Sequence, residues 1–281
     1  MADDRRAGFE ERAYGRSVAA PALSCAEGCE RLCYGWAVLV VRAVALFLVC
    51  CSLAHADQRD RSDGDCAFRD GVFLHGRRTS HDVALTFDAC PTRKTPGFAA
   101  DIVDYLRREG VPATFFISGG WARKHEPALT QLASVPAFEL ALHGDKHIHL
   151  TGASSAAIEK EIDDGRVTLE KLRGSPQPLF RPPFGETPAT LPQATQTAAV
   201  TPVLWDVAPG DPDPHETAAM LEQAVLQRTR GGSIIVLHVN GRGVGTAAAI
   251  PAIVAGLRAR GFNFVTVSSL LHACASTGDS S

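Results

Sequence analysis

The sequence predicts an α/β fold, in which a parallel sheet covered by helices closes into a barrel. Short runs of apolar, β-branched and aromatic residues alternate along the chain with segments of helical period, as expected for parallel strands joined by crossover helices. Reactive side chains follow the ends of several of these runs. The length of 281 residues and the apolar fraction of 45% suit one such domain with a terminal extension.

The strands are predicted from short apolar runs that lack a helical period. The first, rich in β-forming residues, ends at the acidic residue Asp88, and each later run is followed by polar or helical sequence. The predicted strands are Val83–Phe87, Ala113–Ile117, Phe138–Leu142, Leu179–Arg181, Val203–Trp205, Ser233–His238 and Phe262–Val267.

The helices are predicted from apolar residues that recur every three or four positions. In the first helix Ile102, Val103 and Leu106 share one face, and Gly110 ends it. The long third helix has the same pattern. The predicted helices are Pro96–Gly110, Glu126–Ala133, Ser154–Arg173, Pro214–Arg230 and Ala247–Arg260.

The ends of the chain differ in composition from its middle. Residues 1–56 form an extension, in which Arg42, the apolar run Ala43–Leu53 and the small-x-small triplet Ala54-His55-Ala56 predict a secretory signal cleaved near Asp57. An uncleaved membrane anchor is the alternative. We therefore expect an exported protein of the periplasm, the cell envelope or the medium, free or tethered. A polar linker (57–80), a catalytic domain (81–272) and a tail (273–281) complete the predicted organisation.

Charge and cysteine content narrow the partners and the redox state. The formal net charge of −3 gives no electrostatic reason to expect nucleic acid as a partner. After the predicted cleavage Cys66, Cys90 and Cys274 remain, so one disulfide can form and one thiol is left over. The sequence leaves the pairing open, as it does the oligomeric state.

Reactive side chains stand at or just beyond the ends of five predicted strands. They are Asp88, His143, Arg181, Asp206 and His238. In a parallel barrel the carboxyl ends of the strands converge on one face, where the active site is built. The sequence therefore predicts a catalytic site that these side chains share.

Two histidines in this set have the spacing of metal ligands. If the segment turns helically, His143 and His147 lie on one face and can share an ion. Neutral imidazole favours zinc, with cobalt or nickel as alternatives, over magnesium or calcium.

The other side chains suggest acid–base chemistry. Asp88 can deprotonate a water, and His238 can protonate a leaving group. Arg181 stands before a turn fixed by two prolines and is predicted to form a fork-shaped pair with Asp211. Trp205 is predicted either to form an apolar wall against a sugar ring or to belong to the core.

Taken together, these residues resemble the NodB-homology polysaccharide deacetylases, carbohydrate esterase family 4. The resemblance covers about residues 81–271 and consists of five ordered motifs. Leu85-Thr86-Phe87-Asp88 is similar to Thr-Phe-Asp-Asp, and His143-x-x-x-His147 to the metal motif. Arg181-Pro182-Pro183-Phe184 resembles the groove motif Arg-x-Pro-Tyr/Phe, Trp205–Asp211 the fourth motif, and Val236-Leu237-His238 the motif Leu-x-His.

The resemblance implies a distorted (β/α) barrel that hydrolyses N-acetyl, or O-acetyl, groups of a cell-envelope or extracellular polysaccharide. It implies that Asp88 is the base, His238 the acid, and His143 and His147 ligands of a divalent metal. Arg181 would orient the base and Asp211 would tether Arg181. Pro183, Phe184 and Trp205 would line the substrate groove, with a main-chain amide near Phe184 facing the oxyanion.

Three positions depart from the family pattern. Ala89 replaces the second aspartate of the first motif, so a metal ligand is missing, and Asp145, His149 or Asp88 are the candidates to replace it. Gly144 replaces a Ser or Thr in the metal motif, and Pro212 an aromatic residue. Two other functions remain: a carbohydrate-binding relative without catalysis, which Ala89 favours, and a metal-dependent amidase acting on peptide or small amides.

Overall fold

The computed structural model describes residues 66–93 and 97–276. They belong to one compact unit, Asp57–Ser281. The predicted signal or anchor, the first part of the linker and the end of the tail lie outside the described residues. Among the helices that are described, none is both long and apolar enough to cross a membrane.

Strands and helices alternate through the described chain, as the sequence predicts. The strands are β1 (Ala67–Arg69), β2 (Val72–His75), β3 (Asp82–Ala89), β4 (Ala113–Ile117), β5 (Phe138–Leu142), β6 (Leu179–Phe180), β7 (Thr201–Pro202), β8 (Ile234–His238) and β9 (Asn263–Phe264). The helices are α1 (Ala100–Arg108), α2 (Gly119–Ala122), α3 (Glu126–Ala133), α4 (Ser155–Arg173), α5 (Leu191–Thr197), α6 (Ala218–Arg228), α7 (Thr246–Ala259) and α8 (Val267–Ala275), with a 3₁₀ turn at Pro183–Gly185.

The main sheet of the described residues is parallel and curls into a distorted barrel. Its strand order is β7-β6-β5-β4-β3-β8, with β9 also paired to β3. The segment after β7 turns toward the far edge, where Val207 pairs in parallel with Ile235 of β8. This pairing joins the two edges, and the predicted (β/α) barrel is confirmed.

Strand alternation sorts the side chains of the barrel into two faces. In β3, Leu85 and Phe87 belong to the large core between sheet and helices, whereas Ala84 belongs to a smaller core that includes Phe116. Val267 and Leu270 of α8 also pack in this smaller core. Burial of each such side chain contributes about 1.5–3 kcal/mol. The same alternation places Thr86 and Asp88 on the face of β3 that carries Ala84.

Several elements differ from the sequence prediction. Residues 66–80, expected to belong to a polar linker, contain the antiparallel pair β1–β2 and the fully buried Phe73. The strand predicted at Val203–Trp205 is β7, two residues earlier, because only Thr201 and Pro202 pair with β6. Helix α5 was not predicted.

The secondary structure of residues 267–275 also differs from the sequence prediction. Residues expected as the end of a strand and a flexible tail form α8, which starts where Thr266 accepts a hydrogen bond from the Ser269 amide. A disulfide links Cys274 of this helix to Cys66 beside β1. Cys90 is the free thiol, which resolves the pairing that the sequence left open.

Candidate active site

A pocket opens at the carboxyl ends of β3, β5 and β8. It contains most of the predicted site side chains. Its lining is Asp88, Cys90, His143, His147, Phe184, Trp205, Ala208, Gly210, Asp211, Pro212, Val236, His238 and Arg242. The convergence predicted from strand ends is therefore observed for Asp88, His143 and His238, with Arg181 buried directly behind the pocket.

Asp88 and Arg181 form a buried ion pair. The Arg181 guanidinium is fully buried and donates from Nη1 to Asp88 Oδ1 at 2.8 Å and to the Thr86 hydroxyl at 2.8 Å. Its carbon lies 3.9 Å from the Phe116 ring centre, a cation–π contact. Burial alone would raise the pKa of Asp88, but Arg181 and His143 outweigh it and hold this pKa below its ordinary value. Asp88 is therefore ionised and able to accept a proton.

His143 and His147 point their Nε2 atoms at each other across 3.2 Å. His143 is 2% exposed, and its Nδ1 donates to the Arg181 carbonyl oxygen at 2.7 Å. This bond occupies Nδ1, so Nε2 is the ring nitrogen that faces the pocket and is left to bind a metal. Two imidazole nitrogens directed at one point fit a divalent transition metal.

The segment between these histidines is an irregular turn and not the helical turn that would place them on one face of a helix. Gly144 and His147 have φ of +73° and +61°. The buried carboxylate of Glu161 accepts hydrogen bonds from the amides of Lys146 and His147 at 2.6 and 2.8 Å. A Cβ at Gly144 would lie 2.9 Å from Glu161 Oε1. Glycine here lets Glu161 reach the turn that brings the two histidines together.

Cys90 places a third donor atom beside the two imidazoles. Its Sγ lies 3.5 Å from His143 Nε2, and the ligand atoms of Cys90, His143 and His147 all lie within 4.8 Å of one another. Burial would raise the pKa of the Cys90 thiol, but the neighbouring His143 holds it well below its ordinary value. From the sequence, Cys90 was considered only as a possible disulfide partner.

Two residues proposed as replacement ligands are engaged elsewhere. Asp145 pairs with Arg123, Oδ1 to Nη1 at 2.6 Å. The His149 ring is bonded through Nδ1 to Glu186 at 2.7 Å and stacks on Phe184, with ring centres 4.0 Å apart. Neither belongs to the cluster of donor atoms.

His238 is paired with Asp211. The Asp211 carboxylate accepts from His238 Nδ1 at 2.8 Å, from the His238 amide at 2.7 Å and from the Thr246 hydroxyl at 2.9 Å. Burial would lower the pKa of His238, but the bond to Asp211 and the nearby Cys90 raise it to about 10. His238 is therefore protonated at neutral pH.

The predicted pair between Arg181 and Asp211 is wrong. Arg181 contacts Asp88, while Asp211 contacts His238. The segment after β7 runs beside β8, so Asp211 reaches His238 at the end of that strand. The buried Asp211 carboxylate thus orients His238 directly instead of acting through Arg181.

Asp206 was also predicted at the site and lies elsewhere. It pairs with Arg78 at 2.8 Å and accepts from the Ile234 amide at 2.8 Å, at the first residue of β8. His238 is the last residue of that strand. Asp206 therefore supports the start of β8.

The groove side chains are arranged unequally. Phe184 is 50% exposed at the pocket rim with φ of +58°, an uncommon conformation for a residue other than glycine. Trp205 lines the pocket against Gly185. Pro183, also expected in the groove, is buried as the first residue of the 3₁₀ turn and does not line the pocket. Arg242, which the sequence analysis did not select, adds a cationic side chain to the lining.

Comparison with known proteins identifies relatives of this chain. The family model described as polysaccharide deacetylase matches residues 75–203. A peptidoglycan-N-acetylglucosamine deacetylase from Bacillus cereus is 30% identical over 195 residues, which are 68% of this chain and 88% of that protein. Other relatives are longer, and the chain spans only 30% and 27% of two of them.

Solved structures show the same fold. A peptidoglycan N-acetylglucosamine deacetylase bound to 4-naphthalen-1-yl-N-oxidanyl-benzamide superposes with a TM-score of 0.64 at 28% identity, over 70% of this chain and 91% of that one. A family 4 pseudoenzyme from Bacillus anthracis superposes with a TM-score of 0.65 at 19% identity, over 73% and 70%. Because a deacetylase and a pseudoenzyme share this fold, the fold alone does not distinguish a catalytic protein from a non-catalytic one. By its sequence relatives, this chain belongs to the polysaccharide deacetylase family.

Proposed function

We propose that the protein is a metal-dependent deacetylase that hydrolyses N-acetyl groups, or O-acetyl groups, on a cell-envelope polysaccharide. The observation that carries the proposal is that one pocket contains two side chains whose charged partners hold them in opposite protonation states. Asp88 is held ionised by Arg181, and His238 is held protonated by Asp211. A base and an acid that face one pocket in these states are what hydrolysis of an acetamide requires.

The steps assigned to the chain are proton transfers. His143 and His147 would hold the metal, a zinc ion or alternatively cobalt or nickel, and the metal would supply Lewis-acid chemistry toward the acetyl carbonyl and a water. Asp88 Oδ2 accepts the proton of the attacking water, while Arg181 occupies Oδ1. His238 donates from Nε2 to the leaving nitrogen, because its Nδ1 is bound to Asp211.

The walls of the pocket fit a sugar. Trp205 offers an apolar face, and Phe184 an exposed ring at the rim. Similarity to a peptidoglycan-N-acetylglucosamine deacetylase supports peptidoglycan as the first substrate to test. The Cys66–Cys274 disulfide supports an oxidising compartment, and hence export.

A carbohydrate-binding protein without catalysis would not need these side chains. Binding can use Trp205 and Phe184 alone. The two buried ion pairs have a desolvation cost that binding of a glycan gives no reason to retain. The retained pairs therefore favour catalysis over binding, although Ala89 removes one ligand position.

Acetate release tests the proposal. The zinc-supplemented full chain and its Asp88→Asn and Trp205→Ala variants are each incubated with three substrates: peptidoglycan, acetylated chito-oligosaccharides and acetylated small amides. We expect acetate from a glycan, abolition by Asp88→Asn and, because the wall is lost, a raised KM in Trp205→Ala. Glycan binding without acetate would refute catalysis. Faster turnover of small amides, unaffected by Trp205→Ala, would instead indicate an amidase.

A further inference from the structure

We propose that Cys90 is the third protein ligand of the metal and binds it as a thiolate. The site is then built from two histidines and a cysteine, where the family resemblance implies two histidines and an aspartate. The inference rests on the proposed function only in assuming that a metal binds. It adds the ligand set and the metal preference.

The distances among the three donor atoms match a shared ion. The two Nε2 atoms of His143 and His147 are 3.2 Å apart, and Cys90 Sγ is 3.5 Å from His143 Nε2. Bonds of about 2.05 Å to nitrogen and about 2.3 Å to sulfur at tetrahedral angles place nitrogen atoms about 3.3 Å apart and nitrogen about 3.6 Å from sulfur. The observed distances agree with both values.

The orientation of His143 points to the same conclusion. Because its Nδ1 donates to the Arg181 carbonyl oxygen, its Nε2 is the ring nitrogen left to bind a metal. The Cys90 sulfur and the His147 Nε2 atom both lie beside that nitrogen. Three donor atoms that crowd one point are repulsive unless a proton or a cation lies between them, and a cation satisfies all three.

The backbone fixes Cys90 in this position. Strand β3 directs Asp88 into the pocket and Ala89 into the outer core, so the following residue returns toward the pocket. The buried Asn240 side chain donates to the Cys90 carbonyl oxygen at 2.8 Å and holds the turn. Cys90 is 1% exposed and takes no part in the disulfide.

The alternative ligands lack freedom to bind. Asp145 is held by Arg123 at 2.6 Å, and His149 by Glu186 at 2.7 Å. Asp88 Oδ1 accepts a hydrogen bond from Arg181, and Asp88 Oδ2 is 3.8 Å from His143 Nε2. Cys90 is the side chain that completes the donor set among the described residues.

A thiolate changes which metal the site prefers. Sulfur is a soft donor that favours zinc and cobalt, whereas carboxylate oxygen suits magnesium and manganese. We therefore expect zinc and cobalt to bind far more tightly than magnesium or manganese. Replacement of Cys90 by aspartate should narrow that difference.

Cobalt absorption tests the ligand directly. The experiment uses the full chain in which Cys25, Cys29, Cys33, Cys50 and Cys51 are serine, so that Cys90 is the one thiol outside the Cys66–Cys274 disulfide. The protein is stripped with chelator, loaded with Co²⁺ and scanned in the near ultraviolet. Cys90→Ser, Cys90→Asp and His143→Ala are compared in the same background.

We expect a sulfur-to-cobalt charge-transfer band in the parent that is absent from Cys90→Ser and Cys90→Asp. Zinc affinity should fall by more than ~100-fold in Cys90→Ser, since loss of an outer partner of a ligand alone weakens metal binding by about 10–100-fold. Bound zinc should also protect Cys90 from iodoacetamide. Circular dichroism checks that each variant is folded. The cobalt absorption spectrum of the parent tests the ligand assignment even where a variant does not fold.

Two results would overturn the ligand assignment. One is tight cobalt binding by the parent without a sulfur band. The other is acetate release that survives chelation and stops when Cys90 is alkylated, which would make Cys90 a nucleophile paired with His143. A sulfur band in a protein that releases no acetate would instead refute the proposed function and leave the ligand assignment standing.

Discussion

Loss of the Arg181 guanidinium should leave the Asp88 carboxylate buried without a counter-charge. Arg181→Met keeps an unbranched apolar side chain in the barrel, so the main change is electrostatic. Arg181 is fully buried and Asp88 is 4% exposed. Removal of one partner from a buried ion pair costs about 3–5 kcal/mol. We expect the free energy of unfolding of Arg181→Met to fall by that amount at pH 8.

The loss should depend on pH in a defined direction. Burial raises the pKa of Asp88 and Arg181 opposes it, so the folded-state pKa of Asp88 is higher in Arg181→Met than in the parent. The stability difference between the two proteins should therefore shrink as the pH falls through these two pKa values, by up to about 1.4 kcal/mol per pH unit. In the parent the folded-state pKa is lowered, so the contribution of Asp88 is present above its unfolded pKa and is lost in acid.

Urea unfolding of the full chain in chelator measures both effects. Chelator prevents a bound metal from replacing the lost charge. The double variant Arg181→Met/Asp88→Asn should recover most of the lost stability, because a neutral amide needs no counter-charge. The matched control Arg181→Met/Asp211→Asn should recover none, since Asp211 contacts His238.

The reasoning would be refuted by either of two results. One is a loss below about 1 kcal/mol in Arg181→Met, less than breaking a buried pair entails. The other is recovery of the stability of Arg181→Met by Asp211→Asn instead of by Asp88→Asn. That result would support the pair between Arg181 and Asp211 that the sequence predicted.

Three further changes should have separable effects. Asp211→Asn should move the alkaline limb of the pH–rate profile down from about 10, because burial lowers the pKa of His238 and the Asp211 bond is the largest effect that raises it; an unmoved limb would contradict this. Glu161→Ala should weaken zinc binding by about 10–100-fold in equilibrium dialysis, with Glu161→Gln less affected, since the turn between His143 and His147 loses its acceptor; equal affinities would contradict it. Glu186→Gln should lower the melting temperature at pH 7. The bond from His149 and two amides lower the pKa of Glu186 from 4.5 to about 2, so the difference should disappear as the pH falls across that interval, and a constant difference would refute it.

Much of the barrel could be predicted from local patterns. Strands β4 and β5 and helix α3 match their predicted bounds, because their apolar runs are flanked by clear breaks. The short strands were placed less well. Strand β7 pairs through only two residues, and its position depends on where β6 ends, which no local pattern records.

The site shows the same division. The convergence of Asp88, His143 and His238 followed from their positions at strand ends, which topology alone brings together. The partners of Arg181 and Asp211 did not follow, because they depend on the path of the irregular segment after β7.

Cys90 was missed for a different reason. Its position two residues after Asp88 places both on one face of a strand, a signal that was available in the sequence. Cys90 is one of three cysteines that follow the predicted export signal, which suggested a disulfide, and the Cys66–Cys274 bond removed that interpretation.

The most direct test of the central claim is a zinc titration of the metal-free full chain, with acetate release from peptidoglycan measured at each step. We expect the rate to rise with zinc and to level off at one equivalent. Asp88→Asn should take up the same equivalent and release no acetate. Acetate release that is independent of zinc, or one equivalent of bound zinc with no acetate from any acetylated glycan, would contradict the account.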